Sequence, residues 1–144
     1  YYMIGLTNGF KARTTNSPED WQKGAVGFKK YIELAPNSPW ARTDLAWIYF
    51  SQGKFEEMTP ILEEGLKYHP DHPWLHNMYG LALMNTGDKE NAKLHFNKAL
   101  EGAQKLSPED WGSAYPGNNP ASWSKGLASF IDAIEKNQVL VSKE

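Results

Sequence analysis

Residues 21–28 read WQKGAVGF and residues 123–130 read WSKGLASF, 102 positions further on, which is three times 34. A fixed period is the first hypothesis to test, because a repeat architecture overrides every other reading of a chain. Stepping by 34 from Gly24 gives Met58, Ala92 and Gly126. Phe28 leads to Leu62, Phe96 and Phe130, Tyr31 to Gly65, Ala99 and Ala133, and Ile32 to Leu66, Leu100 and Ile134. These columns are apolar or glycine throughout. The column of Trp21 runs through Phe55 to Trp123 and is broken by Lys89 alone. The two octets therefore read as the first and fourth copies of one unit.

A second set of columns shows how the unit is built. Pro39 and Pro73, Trp40 and Trp74, Ala46 and Gly80, Tyr49 and Leu83, and Gly53 and Gly87 are each 34 apart, as are Pro36 and Pro70. Proline in the first turn of a helix sacrifices no hydrogen bond. Gly53 and Gly87 provide a left-handed stop. A second helix then runs to "APN" or "HPD", where proline ends it. The predicted unit is a helical hairpin. Four of them fill one domain over residues 1–144: units 1–38, 39–72 and 73–106, and a degenerate capping unit 107–140.

In these columns the chain resembles the tetratricopeptide repeat family, whose period is 34 residues. In the second unit the signature places hold Arg42, Leu45-Ala46, Tyr49, Met58, Leu62 and Pro70. In the third they hold His76, Tyr79-Gly80, Leu83, Ala92 and Phe96, with Gln104 where the closing proline belongs. The first unit supplies Tyr1, Ile4-Gly5, Gly24, Phe28 and Pro36. The resemblance implies an all-α fold, a right-handed solenoid of stacked antiparallel helical hairpins, and a protein–protein interaction scaffold. Small residues at Gly5, Ala46 and Gly80 let helix backbones approach. Phe28, Leu62, Phe96 and Phe130 are expected to fill the space between neighbouring hairpins, each contributing about 1.5–3 kcal/mol on burial. No hairpin covers its apolar face alone, so the last one needs a cap.

The pattern breaks twice. Gly5 to Trp21 spans 16 residues where Ala46 to Phe55 spans 9. The excess predicts a long loop or an extended first helix around Lys11–Asn16, with Ser17 capping the next helix and Pro18 at its first position. The fourth unit opens with SPEDWGSAYPGNNPAS, residues 107–122. That reads as a short helix over about 108–115, stopped by Pro116-Gly117. A loop through Asn119 follows, then a final helix from Pro120 to about Asn137. The tail extends that helix or frays.

Composition narrows the function classes. Of 144 residues, 40% are hydrophobic and 22% charged, an ordinary globular balance. A net charge of −2 lacks the basic footprint of a nucleic-acid binder. With no cysteine, disulfides and thiolate chemistry are excluded. The compartment stays open: cytoplasm, or periplasm if an upstream signal or anchor has been removed. The start, YYMIGL without an initiator Met, reads as a fragment of a longer parent. No apolar run approaches the roughly 18 residues of a membrane span, so no direct membrane contact is expected. No Gly-rich phosphate loop or nucleophile elbow occurs. Glu56-Glu57 and Glu63-Glu64 read as solvated charge. Neither cofactor nor enzymatic activity is expected.

Six tryptophans ask for a reason beyond a small core. On the helix after Pro39, Leu45, Ala46 and Tyr49 form one face, while Trp40, Trp47 and Phe50 form a second stripe with Thr43 and Ser51. The helix after Pro73 repeats it with Trp74, Leu81 and Met84, plus Asn77 and Asn85. The first helix contributes Tyr2, Leu6 and Phe10. The resemblance implies that these first helices line a concave groove, which would take an amphipathic helix or an extended peptide of a partner protein. Asn77 and Asn85 would bond the ligand backbone, since an amide both donates and accepts. The competing readings are packing against neighbouring repeats or coverage by the fourth unit. At the level of function, the competing reading is self-association as a homo-oligomer, or bracing of a larger, possibly membrane-anchored parent. Some members of the family clamp a C-terminal carboxylate with Lys, Arg and Asn. Here Arg42 is the nearby cation, and that set is missing. In "HPDHPWLH", residues 69–76, His72 and His76 have the i, i+4 spacing of a metal pair, against the simpler reading of a solvated turn.

Overall fold

In the computed structural model, which describes residues 1–115 and 118–143, every described element is helical. These are α1 Tyr2–Thr15, α2 Pro18–Leu34, α3 Pro39–Ser51, α4 Phe55–Tyr68, α5 Pro73–Asn85, α6 Lys89–Gln104 and α7 Pro108–Ala114, then a single 3-10 turn Pro120–Ser122 and α8 Trp123–Val141. The chain divides into two compact units, Tyr1–Pro70 and Asp71–Glu144.

Local chemistry sets the helix ends. Pro18, Pro39, Pro73 and Pro108 each open a helix, behind caps Ser17, Ser38, His72 and Ser107. The cap at Ser107 is reciprocal: its hydroxyl accepts from Asp110 N–H at 3.1 Å, and the Asp110 carboxylate accepts from Ser107 N–H at 2.8 Å. Gly53 and Gly87 adopt φ of 72° and 96° after α3 and α5. A Cβ at either would touch nothing, so backbone conformation alone demands glycine there. Pro116-Gly117, expected to stop α7, lie outside the described residues. The helix closes at Ala114.

In the first unit the excess residues lengthen α1, and Asn16, at φ 50°, makes the reversal. A polar brace closes it. Asp20 is buried and accepts from Lys11 Nζ and Thr15 Oγ1, each at 3.1 Å. The Lys11 ammonium holds its carboxyl below the usual range. Small residues then bring α1 and α2 together: a Cβ at Gly27 would lie 2.6 Å from the backbone nitrogen of Gly5. Phe28 covers Gly5, where an added Cβ would stand 2.7 Å from the ring. α3 packs on α2 and touches α1, and α4 packs on α3. Arg42 is buried as the strut of the second hairpin, its guanidinium donating to Pro36 O at 2.8 Å and Ile61 O at 3.0 Å.

The second unit repeats the close hairpin with α5 and α6. Phe96 is fully buried over Gly80, where a Cβ would meet the ring at 2.5 Å. Phe28 and Phe96 thus fill the space inside a hairpin, between its own two helices, where the sequence reading put them between hairpins. The reason is the glycine opposite: its missing side chain leaves a ring-sized space within the pair.

The largest departure is α8. It runs to Val141, so of the two outcomes left open for the tail the helix is extended, by a turn past Asn137. It packs chiefly on α6 and also touches α5. Ile134 is buried with Ala99 and Ala103, and Val141 with Leu83, Ala92 and Phe96. That is the pattern by which α3 packs on α2 and touches α1. The second copy of the octet therefore sits on a helix that behaves as the first of a hairpin, although its sequence phase matches a second helix. Phe130 accordingly leaves the Phe28–Phe96 role and meets Trp74 edge-on, centroids 4.5 Å apart. The short α7 packs on α8, its Gly112 lying under Trp123 and Gly126 under Trp111.

Candidate functional site

On α3, Ala41, Arg42, Thr43, Leu45, Ala46, Ile48 and Tyr49 are buried, while Trp40, Asp44, Trp47 and Phe50 are half-buried and Ser51 is exposed. At 100° per residue the second group forms one band along the helix. Five of the expected residues fall there: Trp40, Trp47, Phe50 and Ser51 on the open side, and Thr43 at its buried margin, its hydroxyl tied back to Trp40 O at 3.0 Å. Phe50 also meets Phe55 edge-on at 5.7 Å.

α1 touches α3 and brings Tyr2 and Arg13 to this band. Tyr2 meets Phe28 edge-on and Tyr31 at a tilt, with centroids 5.5 and 5.1 Å away, and its hydroxyl donates to Asp44 Oδ2 at 2.7 Å. Leu6 is half-buried beside it. The Arg13 guanidinium lies 5.4 Å from the Trp47 ring centre, and Trp21 of α2 supports that ring at 5.6 Å. Asp44 and Arg13 were not singled out in the sequence reading, which searched the stripe for apolar residues. The signal for Asp44 was present: it stands four residues after Trp40 and three before Trp47. Burial raises the Asp44 carboxyl above its ordinary value, against the opposing hydrogen bond from Tyr2.

In the second unit the corresponding residues are engaged by the C-terminal helices. Trp74 Nε1 donates to the Tyr115 hydroxyl at 2.6 Å, and Asn77 Oδ1 accepts from Asn137 Nδ2 at 3.0 Å. Leu81 and Met84 pack on the cluster of Leu83, Ala92, Phe96 and Val141. Asn85 is exposed and bonds its own helix at Leu81 O, 2.8 Å.

The histidines take separate places. His72 caps α5, its Nδ1 accepting from Leu75 N–H at 3.4 Å. His76 is buried and shares a hydrogen bond with His95 of α6, Nδ1 to Nδ1 at 2.9 Å. One ring must donate and the other accept, so at least one stays neutral. Burial, then the His76 ring and Lys98, lower His95 to about 4, against Asp88. Among the described residues no three His, Asp or Glu groups converge as a metal site. A hollow of ≈ 420 Å³ opens between the start of α5 and the end of α6, lined by His76, Lys98, Glu101 and Lys105 among others.

The repeat geometry has a known counterpart. Models of the tetratricopeptide repeat match residues 28–58 and 75–105. The chain carries tetratricopeptide repeats. Solved tetratricopeptide repeat domains share the fold. The first TPR of Spaghetti (RPAP3), bound to HSP90 peptide SRMEEVD, is 16% identical at TM-score 0.57, over 94% of this chain and 96% of that one. The Sgt2 TPR domain from Aspergillus fumigatus is 17% identical at TM-score 0.57, over 92% and 80%. The first TPR domain of the human RPAP3 protein is 16% identical at TM-score 0.57, over 94% and 98%. No curated protein matches the sequence.

Proposed function

We propose that this tetratricopeptide repeat chain is a protein-interaction module that holds a peptide or helical segment of a partner on the open side of its first-of-pair helices. One observation carries the reading: Trp40, Trp47 and Phe50 remain half-exposed on α3, on the side the hairpin core does not use. Aromatic side chains with open faces are the usual energetic anchors of such surfaces. The similar Spaghetti domain with its bound HSP90 peptide supports the class of ligand. The test is the double variant Trp40→Ala with Trp47→Ala, compared with wild type in a cross-linked pull-down from the source cell. Loss of a specific partner with helicity retained supports the reading. An unchanged partner profile would sink it, and collapse of helicity would reassign both residues to the core.

Self-association is the second reading, favoured by exposed Met3, Ile4 and Phe10 on α1 and by Val139 and Leu140 on α8. It predicts a sedimentation coefficient that rises with concentration and falls back in Met3→Ser with Phe10→Ser.

A further inference from the structure

We propose that the α1–α3 face of the first unit selects a cationic side chain, a lysine or arginine flanked by apolar residues in a partner segment, and that Asp44 is the group that receives it. The inference rests on the peptide-binding reading above and narrows it. Asp44 stands at the middle of the band, between Trp40 and Trp47, so each neighbouring turn carries an indole. Tyr2 engages Oδ2 at 2.7 Å. Oδ1 has no partner among the described residues, yet it is not sealed from solvent.

The surrounding cations are committed elsewhere. Arg13 lies over Trp47, Lys29 Nζ lies 5.6 Å from the Tyr49 ring centre, and Lys11 is paired with Asp20 at 3.1 Å. No lysine or arginine among the described residues pairs with Asp44. A poorly hydrated carboxylate without a counter-ion disfavours its own charged form, in line with the raised Asp44 carboxyl. An incoming ammonium or guanidinium relieves that cost. Its methylene stem lies along indole surface, and aromatic faces attract the charge as well. The position of Arg13 shows that Trp47 already accepts a guanidinium.

The repeat register does not by itself call for an acid here. The residue one repeat later, 34 positions on, is the half-buried Met78. A structural demand for a carboxylate would not be met by methionine at the same register.

The test is selection of random dodecapeptides on the full chain, wild type beside Asp44→Asn and Asp44→Lys. Asparagine keeps an acceptor for Tyr2 and removes the charge, with an N–H2 donor in place of the second oxygen. Wild type is expected to enrich lysine or arginine between apolar residues and to deplete peptides that carry aspartate or glutamate without a cation. Asp44→Asn should bind the best selected peptide roughly tenfold more weakly, and Asp44→Lys should shift enrichment to acidic residues. Replacing the peptide's lysine by glutamine should weaken binding to wild type to a similar extent, a readout that leaves the protein unaltered. Apolar peptides without cation enrichment would overturn the role of Asp44 and leave the peptide-binding reading standing. Capture of acidic peptides, or equal affinity of Asp44→Asn, would do the same. Failure to select any peptide would remove both.

Discussion

Asp44 raises a stability question at the scale of one residue. Burial raises its carboxyl, so the folded state holds the proton more tightly than the unfolded chain. Above that raised value the ionised group works against folding. Asp44→Asn is therefore expected to melt at or above the wild-type temperature at pH 7, measured by circular dichroism. A residue whose neutral isostere is more stable is kept for something other than the fold. The His76–His95 pair has the opposite pH dependence. His95 falls to about 4 in the folded protein against an ordinary 6.5. Between those values the unfolded chain takes up a proton that the fold refuses. The contribution is intact above about pH 6.5 and is lost as pH falls toward 4. Urea unfolding at pH 7 and pH 4.5 should differ by on the order of 2 kcal/mol from this group, after allowance for its partial exposure. His95→Asn should flatten that difference. Phe96, fully buried over Gly80, should cost about 3–5 kcal/mol as Phe96→Ala, because the glycine opposite cannot fill the space.

At the scale of the element, α8 is the informative case. Its octet has the letters of a second helix, and its packing is that of a first helix. The sequence reading runs it to about Asn137 and leaves the tail either to extend the helix or to fray. The structure places buried Val141 against Leu83, Ala92 and Phe96. Ending the chain after Asn137 is expected to lower stability by about 2 kcal/mol or more for the lost valine alone. It should also speed amide exchange in α6. Equal stability of the truncated chain would contradict this placement. The other helix ends were legible because their causes are local: Ser17, Ser38 and Ser107 before proline, and Gly53 and Gly87 in the left-handed region.

At the scale of the whole molecule, the sequence alone determined the hairpin unit, its period and the band of aromatic residues on α3. These follow from spacing along one helix and from proline and glycine, whose effects reach only a few residues. Tertiary structure decided what meets what. Tyr2 reaches Asp44 across 42 positions, and His76 finds His95 across 19. α8 rather than α7 covers α6. Periodicity tells which residues share a face, but the partner of that face depends on volume. The glycine spaces within the hairpins took Phe28 and Phe96, and the small side chains Ala99 and Ala103 left room on α6 for Ile134. Such fits are settled between helices distant in the chain, so no window of the sequence contains them.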